Sequence, residues 1–396
     1  MLRLKIIDVK TFLVNPGGNK NFLFLKVETD EGISGWGEAS VYPNREKSVE
    51  YIAKQIGLIL IGRDPFHIRH LQKIIYRNFA GKRGDWGLYC ALSGIEQALW
   101  DVLGKKLDTP VYNLLGGPCR DKIRVYANHW SHSLSKAPPE EYVAIAEKLV
   151  KKGYTALKWN PLSAAWPTGT KRYPSDKDIR AGVENMKAMR EAFGPDIDLL
   201  IEVGKPVWTP MDAIRAAKKL EDYGPFWYEE PIPCEDGIQN VEELAKITAA
   251  INIPVVTGEA LYRKQAFRNI FEKRAVDIIN PDPCQVGGIL EMMDIAAMAD
   301  AYYVAVSPHG WYSWTIGLAA SVQMCACMPN FLIQELIGEH EPGTNEIGIN
   351  PLKMENGYIK IPTKPGLGVE LDEDALVKYP YKEVKRTFPH YEDEIL

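Results

Sequence analysis

Phe226-Trp227-Tyr228-Glu229-Glu230-Pro231 is an apolar run that stops at an acid, and the same ending recurs on both sides of it. Upstream, Ile197-Asp198-Leu199-Leu200-Ile201 stops at Glu202; downstream, Val255-Val256-Thr257-Gly258 stops at Glu259. The three acids lie 27 and 30 residues apart. That length holds one strand, one crossover helix and the next strand, so the repeat predicts successive βα units with a carboxylate at the carboxyl end of each strand. Convergence of Glu202, Glu229 and Glu259 predicts a hard metal ion, and all-oxygen ligation favours Mg²⁺ over zinc.

The period continues in both directions. Tyr154-Thr155-Ala156-Leu157 reaches Lys158, Val276 to Pro281 reaches Asp282, Tyr302 to Pro308 reaches His309, and Asn330 to Gln334 reaches Glu335. Between these runs lie segments with helical apolar spacing, such as 211–220 and 290–298. With Ile123 to Asn128 as the first strand, eight strands alternate with helices. This predicts an α/β fold, a (β/α) barrel of the modified TIM type spanning 123–359, with its chemistry at the carboxyl-end face.

At 396 residues the chain exceeds a bare barrel by well over a hundred, which predicts a second domain. Residues 1–122 read as an α+β capping domain, with 360–396 returning to it. Leu23 to Thr29 and Ile33 to Glu38 flank the turn Asp30-Glu31-Gly32, and helices are expected over 50–60, 68–79 and 90–103. The loop Asn15 to Asn21 could be a lid over the barrel mouth or an ordinary surface hairpin loop.

A net charge of −5 and a pI near 5.9 argue against nucleic acid or an anionic membrane as partner. No run of about twenty uncharged apolar residues occurs, and Arg3, Lys5, Asp8 and Lys10 interrupt the first segment, so a soluble cytoplasmic protein is expected. Six scattered cysteines match neither a zinc site nor a disulfide framework, and Cys325 and Cys327 read as buried helix residues.

Lys158, Glu202, Glu229-Glu230-Pro231, Gly258-Glu259, Pro281-Asp282, Gly287-Gly288, His309 and Glu335 together resemble the active-site series of the enolase superfamily, in its mandelate racemase branch. Ser93 to Asp101 and Lys364 to Val369 are also similar to that family. Within it the likeness is greatest to acid-sugar dehydratases of the galactonate and gluconate type. The resemblance implies a small acid-sugar substrate whose carboxylate chelates Mg²⁺. A base removes the neighbouring proton to give an enediolate, and elimination yields a 2-keto-3-deoxy acid. It also implies a homo-oligomer. His309 would be the base, Asp282 would fix its tautomer, and Lys158 would stabilise the developing charge.

Two departures bear on the reaction. The racemases carry a second lysine where this chain has Asn160, and some dehydratases carry a histidine where it has Gly204. With no second base in either place, an epimerase or racemase is disfavoured, while a syn elimination through His309 alone survives. A metal-binding acid-sugar binding protein with reduced catalysis is the alternative from another class.

The remaining candidates carry competing readings. Lys158 is a catalytic or substrate-binding cation, or a rim cation; Asn160 is a substrate-binding or a structural amide. Glu335 could donate a proton, orient substrate or be structural. Glu230, out of phase with Glu229, reads as a support beneath the metal site. Trp311, Tyr312 and Trp314 either wall the pocket or pack under the cap. His129 and His132, just beyond the first strand, either point into the mouth or, as the favoured reading, lie on the surface, and Tyr173 is a candidate proton carrier from the 161–178 insertion.

Overall fold

The computed structural model describes residues 4–18, 20–79, 85–131, 134, 137–163, 174–203, 208–235, 238–311, 313–337 and 343–384. Lys122–Ala127, Ala156–Trp159, Asp198–Glu202, Trp227–Glu229, Val255–Thr257, Ile278–Ile279 and Ala305–Val306 pair in parallel in sequence order. The eighth strand, Gln334–Leu336, pairs in parallel with the first, Glu335 opposite Tyr126. A parallel bridge between Val306 and Phe331 ties the seventh strand to the segment entering the eighth, which closes the (β/α) barrel.

Side chains alternate along a strand, so residues two apart share a face. Tyr126, Ala156, Leu200, Trp227, Val256, Ile278 and Ile333 form one buried cluster. It is distinct from the larger core, which contains their neighbours Val125, Leu157, Leu199, Tyr228 and Val255. Two residues beyond the floor positions come Asn128, Lys158, Glu202, Glu229, Gly258, Asn280 and Glu335. An apolar floor is therefore overlaid by a polar layer at the carboxyl ends, where a TIM-type barrel carries its site.

The cap is a three-stranded antiparallel sheet, Ile6–Val14, Phe22–Thr29 and Ser34–Ala39, against helices Glu46–Leu60, Ile68–Phe79 and Trp86–Lys106. Two of these helices begin a turn earlier than the apolar spacing suggests. In the third, the Asp85 side chain accepts from Leu88 N and caps the helix a turn earlier, where Leu88 and Tyr89 are also buried. A Cβ on Gly37 would stand 1.7 Å from the Gly94 carbonyl oxygen, so only glycine lets this strand lie directly on that helix.

Buried polar side chains of the cap clasp the barrel. Glu38 accepts from Trp314 N at 2.6 Å and Gly317 N at 2.7 Å, at the start of helix Thr315–Cys327. Glu96 accepts from Ile289 N at 2.6 Å and Leu290 N at 3.0 Å, at the start of helix Ile289–Ala301. Helix starts present unpaired N–H groups and the positive dipole end, so carboxylates suit both places. Between them Gln97 donates to Pro283 O and accepts from Glu38 N, each at 3.0 Å. The clasped helices follow the strands that lead to Asp282 and His309.

The C-terminal segment rejoins the cap. Asp101 accepts from Leu367 N at 2.7 Å and from Trp36 N at 2.9 Å, and Asn15 N donates to Tyr379 O. Less expected is the hairpin Met354–Glu355 and Tyr358–Lys360. It runs antiparallel along the first barrel strand, with Ile359 opposite Ile123, and straddles the expected boundary at 359. All six cysteines are free, with Cys325 and Cys327 buried on their helix. No helix among the described residues is long and apolar enough to cross a membrane.

Glu38→Gln sets an amide N–H₂ against one of the two backbone donors and should lower the unfolding free energy by about 1–3 kcal/mol, the usual cost of an unmatched buried polar group. Urea denaturation reads this as a lower midpoint at unchanged slope. An unmoved midpoint would show that the clasp carries no stability.

Candidate active site

Each strand end supplies one group. Glu202, Glu229 and Glu259 bring carboxylate oxygens within 4.8 Å of one another. Glu229 and Glu259 are buried, and the Glu202 side chain is 23% exposed, which leaves an opening on that side. Lys158, buried above the Tyr126 ring at 5.5 Å, sits among carboxylates. Its Nζ is 2.9 Å from Glu229 Oε1, 3.3 Å from Glu335 Oε1 and 3.4 Å from Glu202 Oε2.

This donor set fits a hard divalent cation. Glu229 Oε1 is engaged by Lys158 and by Asn280 Nδ2 at 2.8 Å, but Glu229 Oε2 is buried with no hydrogen-bond partner among the described residues. A buried acceptor without a donor is costly, and a cation would complete it. Burial, followed by the charge of Glu202, pushes the Glu229 carboxyl well above its ordinary range despite Lys158. Further positive charge at this place would keep it ionised.

Opposite stands His309, buried, with Nδ1 2.8 Å from Asp282 Oδ2. Asp282 Oδ1 accepts from Cys284 N at 2.7 Å, which fixes the carboxylate's plane. A carboxylate on Nδ1 favours the tautomer that leaves Nε2 free to accept a proton. His309 Nε2 lies 3.3 Å from Glu259 Oε2 and 3.8 Å from Glu335 Oε2. Burial lowers the imidazole's pKa, but Glu259, Glu335 and Asp282 outweigh it and carry the value to about 9, so Nε2 becomes a free acceptor at neutral pH once positive charge offsets these acids.

Glu335 is held ionised. Burial alone would raise its carboxyl, yet Lys158, His309, Gly310 N and Asn128 Nδ2 bring it below the usual range. Of the readings open in the sequence, this environment favours orientation or a structural role over proton donation.

The other candidates divide. Asn160 has both ends of its amide on backbone, Nδ2 to Val203 O at 3.4 Å and Oδ1 from Leu162 N at 2.9 Å, and so braces the loops after the second and third strands. Glu230 adopts φ +48, which turns it off the strand's alternation, and accepts from Thr257 Oγ1 and Gly258 N beneath Glu259. Trp314 is buried against Phe22 and Phe24, under the cap rather than on the pocket. Trp311 stands half-exposed two residues past His309, and Lys20 of the 15–21 loop reaches its carbonyl at 3.3 Å, so that loop touches the mouth. Of the two placements open for His129, the one toward the mouth fits better: at φ +70 its half-buried ring meets Trp311 at 4.9 Å. His132, Tyr173, Gly204 and Tyr312 lie outside the described residues.

Reasoning from strand ends missed Asn128 and Asn280. Both share the inward parity of a floor residue, Tyr126 and Ile278 respectively, and that parity was the signal available.

Fold and site together define a capped (β/α) barrel that gathers three carboxylates able to hold a metal ion opposite a histidine–aspartate pair. The chain belongs to the mandelate racemase/muconate lactonizing enzyme family of the enolase superfamily. Residues 11–116 match that family's N-terminal domain and 141–375 match the enolase C-terminal domain-like family. Among curated relatives, D-galactonate dehydratase of Cronobacter sakazakii is 35% identical over 380 residues, covering 94% of each chain. D-galactonate dehydratase of Klebsiella pneumoniae is 36% identical over 382 residues, covering 95% of this chain and 94% of its own. Among solved structures, a mandelate racemase/muconate lactonizing enzyme from Sulfitobacter sp. superposes with TM-score 0.86 at 33% identity, covering 96% of both chains. One from Jannaschia sp. CCS1 gives 0.87 at 31%, covering 96% of this chain and 98% of that one.

Mg²⁺ at a hundredfold excess over its dissociation constant should stabilise the metal-stripped protein by about 2.7 kcal/mol. Glu229→Gln should lose most of that gain, since a neutral amide supplies far less charge. An equal thermal shift in the variant would remove Glu229 from the ligand set.

Proposed function

We propose that the chain is a Mg²⁺-dependent dehydratase of an acid sugar of the aldonate type, a hydro-lyase that converts its substrate to a 2-keto-3-deoxy acid. His309 carries the reading: with Nδ1 held by Asp282 at 2.8 Å and Nε2 at 3.3 Å from Glu259, a proton acceptor stands beside a metal ligand. The names of the curated relatives support the dehydratase class.

Glu202, Glu229 and Glu259 would hold Mg²⁺, which would supply positive charge to the substrate's carboxylate and acidify the neighbouring C–H bond. Lys158 adds a buried cation beside the same place, so negative charge developing on the carboxylate meets fixed positive charge without solvent reorganisation. His309 Nε2 takes the α-proton, and Asp282 stabilises the imidazolium that forms. His309 then returns the proton to the β-hydroxyl as it leaves from the same face. Glu335, anchored by Gly310 N at 2.5 Å and by Asn128, orients substrate beside His309. Asn160 cannot accept a proton as a base, and its amide is already bonded to the backbone at both ends.

His309→Asn should lower turnover by more than the roughly 10²–10⁴-fold typical of general acid–base assistance, because one group serves both proton transfers, and Asp282→Asn should cost less. Mono- and diacid sugars supplied with Mg²⁺ are the assay, read as 2-keto-3-deoxy acid formed. Surviving α-proton exchange in His309→Asn would move the base elsewhere.

The same chemistry fixes stereochemistry. In D₂O, NMR of the substrate pool should show no C2 epimer at any extent of reaction, and only one epimer of the acid should be dehydrated. Epimer formation would favour a racemase with a second base. Binding with neither exchange nor elimination across the library would favour a binding protein.

A further inference from the structure

Asn280 directly follows the sixth strand, two residues beyond floor residue Ile278 and two before Asp282. Its side chain is buried, and its Nδ2 donates across the mouth to Glu229 Oε1 at 2.8 Å. Lys158 Nζ reaches the same oxygen at 2.9 Å. Two donors converge on one oxygen and none on the other. Glu229 Oε2 and Asn280 Oδ1 are both buried with no hydrogen-bond partner among the described residues. The amide cannot be turned over to relieve this, because a carboxylate only accepts and the flipped amide would set two oxygens face to face. Space for the reach comes from Gly258, at φ +135: a Cβ there would stand 2.9 Å from Phe267 Cε1 and 3.3 Å from Asn280 N.

We propose that Asn280 is a positioning residue of the metal centre, which fixes the Glu229 carboxylate so that Oε2 is the oxygen presented to a divalent cation. This rests on reading Glu202, Glu229 and Glu259 as the ligands. The terminal torsion of a glutamate is broad, so a single hydrogen bond leaves the carboxylate plane free to turn. Lys158 cannot fix that plane alone, because its three donors also serve Glu335 at 3.3 Å and Glu202 at 3.4 Å. A second, planar donor from a different strand removes the remaining rotation. Ligand carboxylates held this way by neighbouring groups bind metal more tightly.

The test is Asn280→Leu, similar in shape but without a donor, with Asn280→Ala as the second variant should the first not fold. Calorimetric titration of the metal-stripped proteins with Mg²⁺ should show affinity about 10–100-fold weaker than the natural chain's, the usual cost of losing such a support. The melting temperature of the metal-stripped variant should change little. Mg²⁺ affinity within twofold of the natural chain's would overturn the inference, and a fall in metal-free stability with unchanged affinity would assign Asn280 to packing instead. Failure of the unaltered protein to bind Mg²⁺ would be distinguishable, because it takes down the ligand assignment itself.

Discussion

Five carboxylates, Glu202, Glu229, Glu259, Asp282 and Glu335, share one barrel mouth, and all but Glu202 are buried. Like charges this close repel, and burial removes the water that would screen them. Among the described residues, two basic side chains answer them. Lys158 touches Glu202, Glu229 and Glu335, while His309 touches Asp282, Glu259 and Glu335. Among the described residues these acids outnumber the bases that touch them, and Glu229 Oε2 is buried there with no hydrogen-bond partner. The architecture around the mouth serves to hold this group in place.

The barrel and its polar layer were legible because apolar runs stop at polar strand ends, and alternation ties several of these polar residues to an apolar one two positions before. Tyr126 precedes Asn128, Leu200 precedes Glu202, Trp227 precedes Glu229 and Ile278 precedes Asn280. The asparagines escaped notice because amides carry no charge to single them out. What sequence could not supply was long-range geometry. Glu335 reads as a possible acid until Lys158 and Gly310 N are seen against it. His129 reads as surface until its ring is found on Trp311, 182 positions later. The Tyr358–Lys360 strand has too few residues to show a period, and only pairing with the first barrel strand defines it.

The cap's role was under-read for a related reason. Glu38, Glu96 and Gln97 sit in segments whose apolar spacing already accounts for a strand and a helix. Nothing local says that they reach Trp314, Ile289 and Pro283. In the structure they bond the segments following the sixth and seventh strands, so the positions of Asp282 and His309 depend on residues nearly two hundred positions earlier or more. Gly288 shows how close that fit is: a Cβ there would stand 2.2 Å from Glu96 Oε2.

These clasps bear on how the chain acquires its shape as it is made. Residues 6–106 emerge first, but Glu38 and Glu96 then lack the helix starts at 289 and 315, and Asp101 lacks Leu367. A carboxylate buried without its donors is costly, so the nascent cap gains little by closing around them. Settling of the first hundred residues thus waits on the helix starts near 289 and 315 and on Leu367. This dependence makes a prematurely terminated chain a target for chaperones and proteases rather than a folded cap.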